Sequence, residues 1–158
     1  MKKTICMLLV LCMFLPLAGC SEKDLAGAFF LSLVLTGDDS ADKADVFEFV
    51  REKEDELLKA IEDGDFSAFE NQGFIKDIDP DEVVVDFSCG GAGVGSGTSY
   101  VGFYYTTDND MTAVWCAPSS ASLLTPSGNG FEWQESNGDN RYYTEHICGN
   151  FYYYEASF

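Results

Sequence analysis

Cys89, Cys116 and Cys148 are the thiols beyond the N-terminal region, and the single histidine of the chain, His146, stands two residues before the last of them. Residues i and i+2 of a strand share a face, so His146 and Cys148 could join Cys89 and Cys116 in a tetrahedral zinc site. No Cys-x-x-Cys knuckle supports that reading. Oxidation is the simpler chemistry outside a reducing compartment. If the strands ending at Cys89, Cys116 and Cys148 all point the same way, the thiols gather at one sheet edge, and Cys89–Cys148 is the expected disulfide. Three buried thiols acting as small hydrophobes are the alternative.

Other chemistry-bearing patterns are incomplete. Asp77, Asp79 and Asp81 match the opening of a calcium loop, but Glu82 stands where glycine should turn the chain and Ser88 where a bidentate Glu is needed. The run Gly90 to Gly97 lacks the Gly-Lys-Ser/Thr ending of a phosphate loop. Glu132, Glu135 and Glu145 are the carboxylates set among aromatic residues, and Glu135 with Glu145 would need strand register to bring them within the ~5 to 9 Å used in glycoside cleavage. His146 has no Gly-x-Ser-x-Gly nucleophile to serve. No catalytic residue, metal or cofactor is assigned, and a non-enzymatic role is expected.

The 158 residues carry 27 Asp+Glu against 9 Lys+Arg, a formal charge of −18 with a pI near 4.1. Nucleic-acid binding requires cations that displace counterions from phosphates, so it is excluded as a class. Anionic lipid headgroups are disfavoured by the same sign. Thirteen Phe, eight Tyr and two Trp supply ample surface for a core, which argues against general disorder.

At the N-terminus, Lys2 and Lys3 precede an apolar run from Ile5 to Leu17, the pattern of a secretory signal. Its last four residues, Leu17-Ala18-Gly19-Cys20, resemble the lipobox of bacterial lipoproteins, which implies cleavage after residue 19 and a diacylglyceryl group on the Cys20 thiol. The mature chain would keep 7 basic and 27 acidic side chains, a net charge of −20. Two acyl chains at ~0.8 kcal/mol per buried methylene make a stable anchor. Residues 20–41 would form the tether. Within it Leu25 to Leu35 is apolar but falls short of the ~20 residues of a spanning helix, so it lies on the membrane or folds into the domain. The expected location is the extracytoplasmic face of the cell membrane.

Residues 42–158 read as one small α+β domain. Val46, Val50, Leu57 and Ile61 place an amphipathic helix over Ala44 to Asp63, with Ser40 or Asp42 as cap and Gly64 as stop. From Val83 the apolar period becomes two. Strands are expected at Val83 to Cys89, Tyr100 to Thr107, Met111 to Cys116, Phe131 to Ser136, Arg141 to Cys148 and Phe151 to Phe158, an antiparallel meander of five to six strands, open or curled. Tyr142-Tyr143 and Tyr152-Tyr153-Tyr154 must put rings on both faces of that sheet. One helix covers one face, so unless the sheet curls into a barrel the other is expected to show an aromatic platform to solvent, to the membrane-proximal segment or to a partner.

The segments Val84-Val85-Asp86-Phe87-Ser88-Cys89-Gly90-Gly91, Gly102-Phe103-Tyr104-Tyr105, Tyr142-Tyr143-Thr144-Glu145 and Phe151-Tyr152-Tyr153-Tyr154-Glu155 resemble a family of small uncharacterised clostridial-type lipoproteins. The resemblance implies location and fold and carries over no site. The expected function is a membrane-anchored interaction module, its surface drawn from Tyr104, Trp133, Tyr143 and Tyr153, with a protein partner or a second copy as ligand. A cell-wall glycan or peptide stacked on the same rings is the alternative.

Overall fold

The computed structural model describes residues 41–70, 72–93 and 97–158. The expected signal peptide, Cys20 and the apolar stretch Leu25 to Leu35 lie outside the described residues. Two helices, α1 (Lys43–Glu52) and α2 (Glu54–Asp63), precede seven strands: β1 (Asp77–Pro80), β2 (Val84–Ala92), β3 (Ser99–Thr106), β4 (Thr125–Ser127), β5 (Gly130–Gln134), β6 (Arg141–Cys148) and β7 (Phe151–Ser157). None of the described helices is long and apolar enough to cross a membrane.

The helical stretch begins and ends on the local signals. The Asp42 side chain accepts the Ala44 amide at 2.9 Å, and Gly64 closes α2 in the left-handed region at φ 66°. It is two helices rather than one, broken at Lys53 without proline or glycine. The acidic run Glu54, Asp55, Glu56 suits the positive start of a new helix better than the second half of a continuing one.

All strand pairs are antiparallel, in the order β1-β2-β3-β7-β6-β5-β4, and the sheet is open. The α+β class and antiparallel meander are therefore as expected, with two additions. β1 and β4 are short edge strands, ending at Pro80 and containing Pro126 respectively, which blunts both edges against further pairing. β7 returns to pair with β3, so the two hairpin runs meet in the middle of the sheet.

The stretch Met111 to Cys116, expected as a strand, is not one. Asp108 and Asp110 carboxylates accept the amides of Asp110 and Thr112, and the backbone turns again through Ala113 and Ala117. Its apolar residues Met111, Ala113, Val114, Cys116 and Ala117 do not alternate; they lie across the sheet face opposite the helices.

Both faces are consequently covered. On the inner face Val46, Val50 and Leu57 pack with Phe87, Phe103, Phe151 and Tyr153. On the outer face Val114 and Cys116 pack with Tyr104, Tyr142, Tyr152 and Tyr154. The phenols of that outer face hold the crossing segment. Tyr142 donates to the Met111 carbonyl at 3.0 Å, and Tyr152 to Asn109 at 3.3 Å. Gly102 makes this possible, since a Cβ there would stand 2.7 Å from the Tyr154 ring. The expected open aromatic platform is thus overturned: a loop, not a second helix, covers the outer face.

The disulfide expectation is corrected too. Because β7 sits between β3 and β6, β6 runs opposite to β2, and Cys148 lies at the far end of the sheet from Cys89. Three strand spacings alone separate their backbones by roughly 14 Å, twice the ~7 Å reach of a disulfide. All three thiols are free, and Cys116 belongs to the outer-face core. Burial pushes Cys116 up to about 12 and, with the Glu54 carboxylate beside it, Cys148 up to about 11. Of these three thiols in the native full chain, a maleimide should label half-buried Cys148 first and reach Cys89 and Cys116 only on unfolding. A Cys89–Cys148 crosslinked peptide in a non-reduced digest would contradict this geometry.

Candidate functional site

The bulge between His146 and Cys148 shifts register so that Cys148 packs on the inner core while His146 turns outward, 5.2 Å from the Tyr152 ring, with its Nε2 2.8 Å from the Gly149 carbonyl oxygen. The two therefore do not share a face, and the Cys₃His set is not assembled. Among the described residues no group of three or more His, Cys, Asp or Glu side chains could hold a metal ion.

The carboxylate pair is likewise separated. Glu135 is exposed in the β5–β6 turn, whereas Glu145 is buried beneath the start of α1. There Lys43 pairs with Glu145, Tyr143 donates to the same carboxylate oxygen at 2.6 Å, and the Lys43 ammonium sits 4.6 Å from the Tyr143 ring centre. Burial pushes Glu145 up, but the Lys43 and Tyr143 hydrogen bonds outweigh it and hold the carboxyl below its ordinary value. This cluster ties α1 to the sheet and leaves Glu145 without a proton to donate.

Of the four expected surface residues, Tyr104 and Tyr153 are buried. Trp133 and Tyr143 are half-buried on opposite faces, since Trp133 pairs with Tyr142 and Glu132 with Tyr143. No single ligand surface gathers them. Beyond the helices, the inner face of β3, β7, β6 and β5 leaves a groove of about 620 Å³ lined by Arg141, Tyr143, Glu132 and Glu155 among others. Both of its carboxylates are exposed to solvent.

The exposed aromatic surface comes instead from the crossing segment. Trp115 is 61% exposed, yet its indole is fixed at three points. Its Nε1–H donates to Asp86 Oδ2 at 3.1 Å, its ring stacks on Phe158 with centres 6.0 Å apart and planes 25° from parallel, and Tyr100 meets it at 85° and 5.1 Å. Asp86 lies on β2 facing outward, directly opposite Asp79 on β1 and Tyr104 on β3. It is 8% exposed; Tyr154 donates to Oδ2 at 3.3 Å, while Oδ1 is buried without a hydrogen-bond partner. Burial pushes the Asp86 carboxyl up to about 6, against the pull of the Tyr154 and Trp115 hydrogen bonds, and Asp79 and Asp77 add to the rise.

Trp115, Tyr100 and Phe158 were not among the residues singled out from sequence. The available signal was an indole between the turn-forming Asp108-Asn109-Asp110 and Pro118, in a stretch whose apolar residues fail to alternate. No protein-family model, curated protein or solved structure matches the chain.

Proposed function

We propose that the chain is a lipid-anchored, extracytoplasmic interaction module, non-enzymatic, whose contact surface is the Trp115, Phe158 and Tyr100 cluster. The lipobox ending at Cys20 supports the anchor. The observation that carries the binding role is an indole left 61% exposed while three neighbours hold its orientation. A prepositioned aromatic ring offers large contact area with little rotamer entropy left to lose, the property of interface hot spots.

Acyl labelling and fractionation of cells expressing the full chain test the anchor: Cys20→Ser should lose both lipid label and membrane retention. For the contact surface, in-cell crosslinking should show adducts that Trp115→Ala depletes. The same variant should remain folded, because the side chain lies mostly outside the core. Adducts undiminished in Trp115→Ala would remove the contact role whatever the fate of the anchor.

A further inference from the structure

We infer that the Trp115 surface receives a basic segment of a partner protein, with a Lys or Arg side chain over the indole and its charge beside Asp77 and Asp79. This rests on the interaction role proposed above and names its partner chemistry.

Asp77, Asp79 and Asp86 share the outward face of β1 and β2, because alternate residues of a strand and directly paired residues of its neighbour point the same way. Asp79 and Asp86 are directly opposed across the β1–β2 ladder. The ion pairs Lys43–Glu145, Lys53–Glu56 and Lys59–Asp63 lie on the helices or join them to β6. Like charges set directly across a ladder destabilise it, so the free protein holds an arrangement that an arriving cation relieves. Asp86 adds a buried oxygen with no partner, immediately beneath the indole that its other oxygen orients.

A cation over an indole face is attracted by the ring quadrupole, and nearby carboxylates reinforce the same sign of ligand. Asp77 and Asp79 are exposed and meet a side chain without desolvating the core. A divalent metal is the poorer occupant, since these carboxylates on extended strands do not converge on one point. Addition of a strand is disfavoured because β1 has four residues and ends in proline. The formal charge of −18 favours encounter with a basic partner over long range.

The test uses the full chain in detergent micelles carrying Trp133→Phe, so that Trp115 is the sole tryptophan. A lysine–serine repeat peptide should change Trp115 emission saturably. Asp77→Asn with Asp79→Asn should weaken binding about tenfold or more, and raised salt should weaken it further. Circular dichroism establishes that each variant is folded. No saturable change with the peptide, equal affinity in the doubly substituted protein, or the same change with calcium chloride alone would overturn the inference. A saturable response to chitotetraose but not to the peptide would also overturn it while leaving the interaction role standing. Undiminished crosslinks in Trp115→Ala, by contrast, remove that role itself.

Discussion

Phe103→Ala should lower the unfolding free energy by about 3 to 5 kcal/mol, the range for emptying a buried phenylalanine site. Phe103 is 0% exposed at the centre of the sheet, on β3 between β2 and β7. Its ring stacks on Phe87 with centres 4.5 Å apart and planes within 5°, and it touches Phe49 of α1 at 6.3 Å and Phe151 of β7 at 6.4 Å. Those neighbours belong to three separate elements held by their own hydrogen bonds, so they cannot collapse into the space left behind. Urea denaturation should show a lowered midpoint at unchanged slope, while Leu58→Ala on the exposed side of α2 should shift stability by no more than about 0.5 kcal/mol. A loss below about 1 kcal/mol in Phe103→Ala would mean that the inner core is not organised around this ring.

Asp86→Asn should gain stability relative to the unsubstituted protein as pH rises, by about 3 kcal/mol between pH ~4 and ~8. The folded carboxyl titrates at about 6 against 3.8 for a solvated one. Between those values the native state holds a proton that the unfolded chain has released. Unfolding therefore becomes progressively easier as pH increases through the window, and the full penalty persists above it. Burial is the main cause, aided by Asp79 and Asp77, and only partly offset by Tyr154 and Trp115. Asparagine keeps an oxygen for the Trp115 indole and carries no charge to desolvate. Carboxylates shifted the other way, such as Glu145, lose stabilisation as pH falls, but they are common to both proteins and cancel in the difference. Denaturation of both proteins across this pH range gives that difference directly. A gap that stays constant with pH would show that Asp86 is solvated in the native state.

The same carboxylate links stability to the proposed contact surface. Trp115 keeps its orientation through an acceptor that is costly to bury, whereas a purely structural outer face would be better served by an apolar side chain at position 86. The local instability is compatible with a surface completed by a cationic ligand.

Features governed by neighbours along the chain were legible from residue order. Asp42 and Gly64 bound the helical stretch because capping and left-handed turns depend on a few adjacent residues. β2, β3, β5, β6 and β7 follow from alternation of apolar side chains. Edge strands β1 and β4 escaped notice because three or four residues with a proline carry too little pattern.

Composition and alternation thus sufficed for an acidic α+β chain with rings on both sides of its sheet. Whether those rings met water depended on pairings between residues distant in sequence. Docking of β7 against β3 reversed β6 and sent Cys148 away from Cys89, and the turns after Asp108 laid Met111 to Ala117 over the outer face. That cover buried the tyrosines and exposed Trp115 in their place, because apolar alternation defines which residues share a face but says nothing of which segment will close over it.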